Sequence, residues 1–124
     1  MAKILYIEDI EDNITFVGKV ITSRGHEFLW AKNAEKGLEM ALNARPDLIL
    51  LDLGLPDADG QTLSVWLRSD PSLEAVPIIV LTAWPEEVAR DTVAAYNLNG
   101  YLCKPFSLMD LVQTIEAVLS AKAS

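Results

Sequence analysis

The chain holds one cysteine, Cys103, and one histidine, His26. A lone cysteine forms no internal disulfide and excludes any multi-cysteine metal site. A lone histidine with no other nitrogen or sulfur ligand near it in sequence does not make a zinc set, so His26 is expected at a surface or sheet edge rather than as a ligand or phosphate donor. Positive charge is scarce: 10 Lys and Arg stand against 18 Asp and Glu, a net charge of −8. With no basic patch, such a chain repels phosphate backbones, and a nucleic-acid partner is not expected. No apolar run approaches the roughly 20 residues of a membrane span, and MAKILYIED meets acids too early for a signal peptide. The expected location is the cytoplasm. Repeats, low-complexity tracts and linkers are missing too, which points to one domain over residues 1–124.

What is present is apolar and periodic. Hydrophobic residues make up 51% of 124 positions, enough for a sizeable core. KILYIE (3–8) predicts a buried strand; Ile14, Val17 and Ile21 then recur at helical spacing, with Asp12 and Asn13 as possible caps and Gly25 closing the segment. HEFLWA (26–31) predicts a second strand. A helix over 33–45 follows, with Asn33 as its cap, Leu38 and Leu42 inward and Pro46 beyond its end. DLILLD (47–52) is unbroken apolar, as in a parallel strand covered on both faces. A helix over 60–69 carries Leu63, Trp66 and Leu67, a strand runs over 76–83, and PEEVARDTVAAYN (85–97) opens like a helix with Pro and two glutamates. A brief strand at 100–104 precedes a last helix from about Ser107, striped by Leu108, Leu111, Val112, Ile115, Val118 and Leu119. Five strand–helix pairs with short loops give an α/β fold, a parallel sheet with helices on both faces. Sites in such folds lie beyond the carboxyl ends of the strands.

Those ends carry Glu8 and Asp9, then Ala31, then Asp52, then Thr82 with Ala83, then Lys104 before Pro105. Taken singly, each is ordinary: Asp ends strands as turn chemistry, Lys104 suits a solvated loop, and Thr82 is a β-branched strand residue. Taken together, three carboxylates, a hydroxyl and an ammonium meet on one edge. Clustered carboxylates repel unless a cation joins them. An all-oxygen set with few side chains suits Mg²⁺, which favours phosphate oxygens as co-ligands. Lysine and threonine supply a charge and a donor for such a group. The constellation is a candidate phosphoryl site with a metal beside it.

The pair ED at 8–9, LLDLGLPDADG around the third strand, VLTA ending the fourth and GYLCKPF around the fifth resemble the receiver domain of two-component response regulators, from Lys3 to about Lys122. The resemblance implies a doubly wound, flavodoxin-like sheet of five strands in the order 2-1-3-4-5 with five helices. It implies that Asp52 accepts a phosphoryl group from a phosphohistidine on a histidine kinase or histidine phosphotransfer protein. Asp9, Asp52 and the Gly54 carbonyl would bind Mg²⁺, with Glu8 acting through water. Lys104 would pair with phosphoryl oxygens, Thr82 and the Ala83 amide would bind them after transfer, Tyr101 would be the switch aromatic, and the bond before Pro105 is commonly cis. The fourth helix, fifth strand and last helix form the usual downstream face, and the first helix meets the donor, with Ile10 and Ile14 as candidate contacts. The protein would catalyse only its own phosphorylation and dephosphorylation.

Some positions stand apart from that pattern. Gly54 leaves the site open to water while Trp84 offers shielding, so they pull the lifetime of the phosphorylated form in opposite directions. Asn97, where glycine is usual, suits a left-handed cap. Cys103 is expected as inert core, Trp30 and Trp66 as core or half-core, and Glu11 and Asp12 as helix-start acids. Two other functions compete: a receiver-like binding module acting without phosphate, and a phosphatase with Asp52 as nucleophile, which would want a carboxylate where Gly54 stands. The MAKILYIED start is expected of a free-standing protein; SAKAS leaves the downstream boundary open.

Overall fold

A computed structural model describes residues 1–123. Among these, strands β1 (Lys3–Ile7), β2 (Glu27–Ala31), β3 (Leu48–Leu51), β4 (Ile78–Thr82) and β5 (Gly100–Cys103) alternate with helices α1 (Glu11–Ser23), α2 (Ala34–Ala44), α3 (Gly60–Ser69), α4 (Glu86–Ala95) and α5 (Leu108–Ala123). All neighbouring strands pair in parallel, in the order β2-β1-β3-β4-β5. The order reverses between β1 and β3, which makes their carboxyl ends the switch point.

Alternation along the strands divides the core in two. Leu5, Ile7, Ile49, Leu51, Ile78 and Val80 pack with α2 and α3 residues such as Ala41, Leu63 and Leu67. Ile4, Tyr6, Leu48, Leu50, Ile79 and Leu81 pack with Val17, Ile21, Leu111 and Ile115 of α1 and α5. Burial on both faces explains why β3 and β4 read as continuous apolar runs.

Capping fixes the helices near the switch point. Asn33 accepts from the Lys36 amide at 2.8 Å, as expected. Asp57 adds a second cap, accepting from the Ala34 and Glu35 amides at 2.7 and 3.0 Å, and Asp59 caps α3 at Thr62. Ser107 and Asp110 form a reciprocal capping box on α5. Asn97 takes φ +56°, the left-handed conformation foreseen for it.

Far from the switch point, Arg68 of α3 donates to the carbonyls of Leu73, Glu74 and Val76 at 3.2, 3.2 and 2.5 Å. It also reaches the Asn97 carbonyl at 3.4 Å and Asn99 Oδ1 at 2.9 Å. Asn99 Oδ1 in turn receives the Ile78 amide at 2.9 Å.

Several expectations need correction. Asp12 and Asn13 lie inside α1, whose N-cap is Ile10 with no side-chain cap bond; the two acids of the first turn, Glu11 and Asp12, favour the helix dipole instead. Leu42 is exposed, because α2 meets the sheet through Ala34, Gly37 and Ala41; a Cβ on Gly37 would lie 2.7 Å from Ile7. Trp66 is exposed on α3, which turns Leu63, Ser64 and Leu67 inward instead. Trp30 is 50% exposed on the edge strand β2, stacked on Phe28. Leu108 is exposed where α5 begins, and Cys103 is only half-buried because β5 is the other edge. His26 precedes β2 at its edge; its Nδ1 accepts from the Ala2 amide at 2.9 Å.

Candidate functional site

Strand register brings the candidate residues together. Ile7 pairs with Leu51, and the Asp52 amide continues that ladder to the Ile7 carbonyl at 3.1 Å, so Glu8 and Asp52 emerge side by side. Thr82 pairs with Cys103, and the Lys104 amide donates to the Thr82 carbonyl at 2.7 Å, which places Lys104 at the same edge. Glu8 is fully buried, Asp52 is 6% exposed and Asp9 faces solvent; each offers a carboxylate oxygen within 4.8 Å of the others.

The lysine leans to one side of this group. Lys104 Nζ donates to Glu8 Oε1 at 2.5 Å and stands 3.9 Å from Asp52 Oδ1, outside hydrogen-bond range. Two further donors converge on Glu8 Oε1: Asn13 Nδ2 at 2.7 Å and the Tyr6 hydroxyl at 3.0 Å. The Asp9 amide reaches Glu8 Oε2 at 3.2 Å. Burial, and then the neighbouring Glu8, push the Asp52 carboxyl up to about 7. Burial works on Glu8 in the same sense, but hydrogen bonds from Asp52, Lys104 and Asn13 outweigh it and hold Glu8 below the usual carboxylate range. For Tyr6, burial and then the Glu8 charge raise the phenol far above its ordinary value, so its hydroxyl stays a donor.

Thr82 is fully buried, and its Oγ1 accepts from the Trp84 amide at 3.1 Å. Ala83 is exposed; with Asn13, Phe16, Lys104, Pro105 and Phe106 it lines a groove of about 490 Å³ beside the acids. The Lys104–Pro105 bond is cis. Gly54 is exposed, with nothing within 4 Å of where a Cβ would stand. Gly60 is the opposite case: a Cβ there would meet the Asp52 carbonyl oxygen at 2.6 Å. Tyr101 stands apart from the acids, half-buried on β5, with its hydroxyl on Glu86 of α4 at 3.0 Å.

The donor set suits a hard divalent cation. Three clustered carboxylates face one ammonium, and the Asp52 carboxyl is raised first by burial and then by the neighbouring Glu8. Sequence reasoning misses two members of this site, Tyr6 and Asn13. Asn13 reads as a cap, and Tyr6 is absorbed into an apolar strand although its phenol is a polar tip among buried aliphatic residues.

Comparison with known proteins agrees with this architecture. The family model described as the response regulator receiver domain matches residues 4–116. The chain belongs to that family. The receiver is 30% identical to the polar-differentiation response regulator DivK of Brucella anthropi, over 94% of each chain. It superposes on chemotaxis response regulator CheY4 of Vibrio cholerae with a TM-score of 0.90 at 27% identity, covering 95% of this chain and 98% of that one. A two-component response regulator from Clostridium difficile gives 0.91 at 27% identity over the full length of both. The strand order and helix count foreseen from the motifs are those of the receiver fold. No helix among the described residues is long and apolar enough to cross a membrane.

Proposed function

We propose that this receiver is a phosphorylation switch in which Asp52 accepts a phosphoryl group from a phosphohistidine on a histidine kinase or histidine phosphotransfer protein. The observation that carries the reading is the meeting of Asp52 with Glu8, Asp9 and Lys104 at the switch point. An Asp52 carboxylate oxygen forms the new bond to phosphorus as the phosphorus–nitrogen bond to imidazole breaks. The imidazole leaves with the electron pair, and the product is an acyl phosphate. Phosphoryl transfer asks chiefly for positioning and charge stabilisation, which a weak carboxylate nucleophile at a fixed strand end satisfies.

Asp9, Asp52 and the Gly54 carbonyl are the residues we assign to Mg²⁺, with Glu8 acting through water. When bound, the ion compensates charge on the phosphoryl oxygens. Lys104 swings from Glu8 to those oxygens, and Thr82 with the Ala83 amide binds them after transfer. Thr82 Oγ1 accepts from the Trp84 amide, which leaves its hydroxyl proton to donate to those oxygens. Tyr101 would then leave Glu86 and turn inward, altering the face formed by α4, β5 and α5, which meets the downstream protein. The groove lined by Phe16, Pro105 and Phe106, with exposed Ile10 capping the start of α1, supports docking of the donor beside Lys104. Ile14, buried in the core, leaves Ile10 as the better contact of the pair.

The protein acts on itself rather than on an external substrate. A phosphatase using Asp52 would need an acid at position 54, where the open glycine stands. The test is intact mass after incubation with acetyl phosphate, with and without Mg²⁺, for the wild type and Asp52→Asn. Gain of one phosphoryl group that needs both Mg²⁺ and Asp52 supports the reading. No adduct on folded protein, with turnover excluded by phosphate-release measurement, leaves a constitutive binding module.

A further inference from the structure

The Glu8 carboxylate is unevenly loaded. Its Oε1 receives Tyr6, Asn13 and Lys104, while an acidic oxygen offers about two lone-pair directions. Three donors on two lone pairs compete, and the share each obtains depends on the other two. Tyr6 and Asn13 are fixed by their elements, the first buried in β1 and the second on the opening turn of α1. Lys104 is the mobile member, at the end of a flexible side chain that keeps 16% exposure.

We propose that Tyr6 is a positioning residue: its hydroxyl, acting through Glu8, weakens the resting bond of Lys104 and keeps the ammonium free to move to Asp52 and the group it receives. The proposal rests on the phosphoacceptor reading of Asp52. With the Tyr6 hydroxyl in place, departure of Lys104 leaves Glu8 Oε1 two neutral donors, Tyr6 and Asn13, while the Asp9 amide serves Oε2. Without it, Oε1 keeps Asn13 alone beside Lys104, and the ammonium becomes the partner that oxygen can least release. The cost of leaving a buried charge short of donors is thus shifted from Lys104 onto a group that never has to move.

This role differs from packing. Phenylalanine at position 6 would fill the same space among Ile4, Leu48, Leu50 and the α1 and α5 side chains, and would remove only the hydroxyl. The two roles therefore separate experimentally.

The experiment compares wild type, Tyr6→Phe, Asn13→Ala, Glu8→Gln and the double variant Tyr6→Phe with Glu8→Gln, all checked for cooperative melting. Phosphorylation of Asp52 by acetyl phosphate is followed by intact mass. Lys104 availability is followed separately, in unphosphorylated protein, by the rate of its acetylation with acetic anhydride in peptide maps. The expected result is a fall of about three- to tenfold in both rates for Tyr6→Phe, the scale of the net worth of one ordinary hydrogen bond. Asn13→Ala should shift both the same way, which keeps the test open should Tyr6→Phe fold poorly. In the Glu8→Gln background, adding Tyr6→Phe should change either rate by less than about twofold, since the charge through which Tyr6 acts is gone. Unchanged Lys104 acetylation in folded Tyr6→Phe overturns the proposal, as does an unchanged rate in Asn13→Ala where Tyr6→Phe does not fold. So does slowing by Tyr6→Phe that is equal in the wild-type and Glu8→Gln backgrounds. Absence of any adduct on wild-type protein would instead defeat the phosphoacceptor reading, with the acetylation rates still judging Tyr6.

Discussion

Asp52→Asn should make the protein more stable at neutral and alkaline pH, and the gain should vanish in acid. The native fold holds the Asp52 carboxyl at about 7, against an ordinary value of 3.8. Between those values the folded chain keeps a proton that the unfolded chain has released. Stability therefore falls as pH rises through this window, and the full cost is present above it. The span, at about 1.4 kcal/mol per pH unit, sets a ceiling of about 4 kcal/mol. Only 6% of Asp52 is exposed, so water screens little of it. Glu8 moves the opposite way within the same pair and returns part of that. For a chain of this length, unfolding entropy of roughly 0.26 kcal/mol per kelvin turns the ceiling into at most about 15 °C in Tm. Thermal melts of wild type and Asp52→Asn in buffers spanning the window measure it, since every other residue is common to both. The curves should coincide near the acid end and separate towards pH 8. Saturating Mg²⁺ should narrow the gap by stabilising only the carboxylate form. Parallel curves, or an Asp52→Asn variant less stable than wild type at pH 8, would refute the account of a destabilising buried charge.

Other substitutions test neighbouring features. Gly60→Ala should cost about 1–3 kcal/mol in denaturant melts and slow Asp52 phosphorylation, because the added carbon displaces backbone at Asp52 and Leu53 rather than a flexible side chain. Gly54→Gln should change stability by less than about 0.5 kcal/mol, having open space to enter, while lengthening the phosphorylated half-life by covering Asp52 from water. Arg68→Ala should lose about 2–4 kcal/mol by stripping its carbonyl partners, with phosphorylation of the folded protein within about twofold of wild type.

The strands were legible because burial on two faces writes a plain signal: LILL and IIVLT are apolar at nearly every position. The acidic edge was legible because the strands carrying it end at polar residues, and parallel pairing leaves only one edge for them to share. Helix faces read less well. Leu42 sits at plausible inward spacing, but α2 approaches the sheet through small residues, a choice made by Ile7 of β1; Trp66 shares α3 with Leu63 and Leu67, which take the inward face. Trp30 was misjudged because strand order decides which apolar strand is an edge, and order is set by pairing rather than by the strand's own residues. Tyr6 and Asn13 escaped for a related reason: their importance lies in a shared partner, Glu8, and local patterns see only an apolar strand and a helix start. The acids of PDADG were the reverse case, near the site in sequence yet employed as caps of α2 and α3.

The Arg68 guanidinium, at the opposite end of the molecule from Asp52, has a mechanical consequence. It stitches the approach to β4 to the approach to β5, and Asn99 shares its oxygen between Arg68 and the first amide of β4. Both strands are pinned where they begin and carry Thr82 and Lys104 where they end. A sliding motion of one strand past the other would have to break the pin, whereas a rotation about it would not. Displacement at the acidic edge is thereby channelled into a lever with its fulcrum at Arg68, and amide protons around that fulcrum should exchange as one slow cooperative unit while those at the far tips exchange independently.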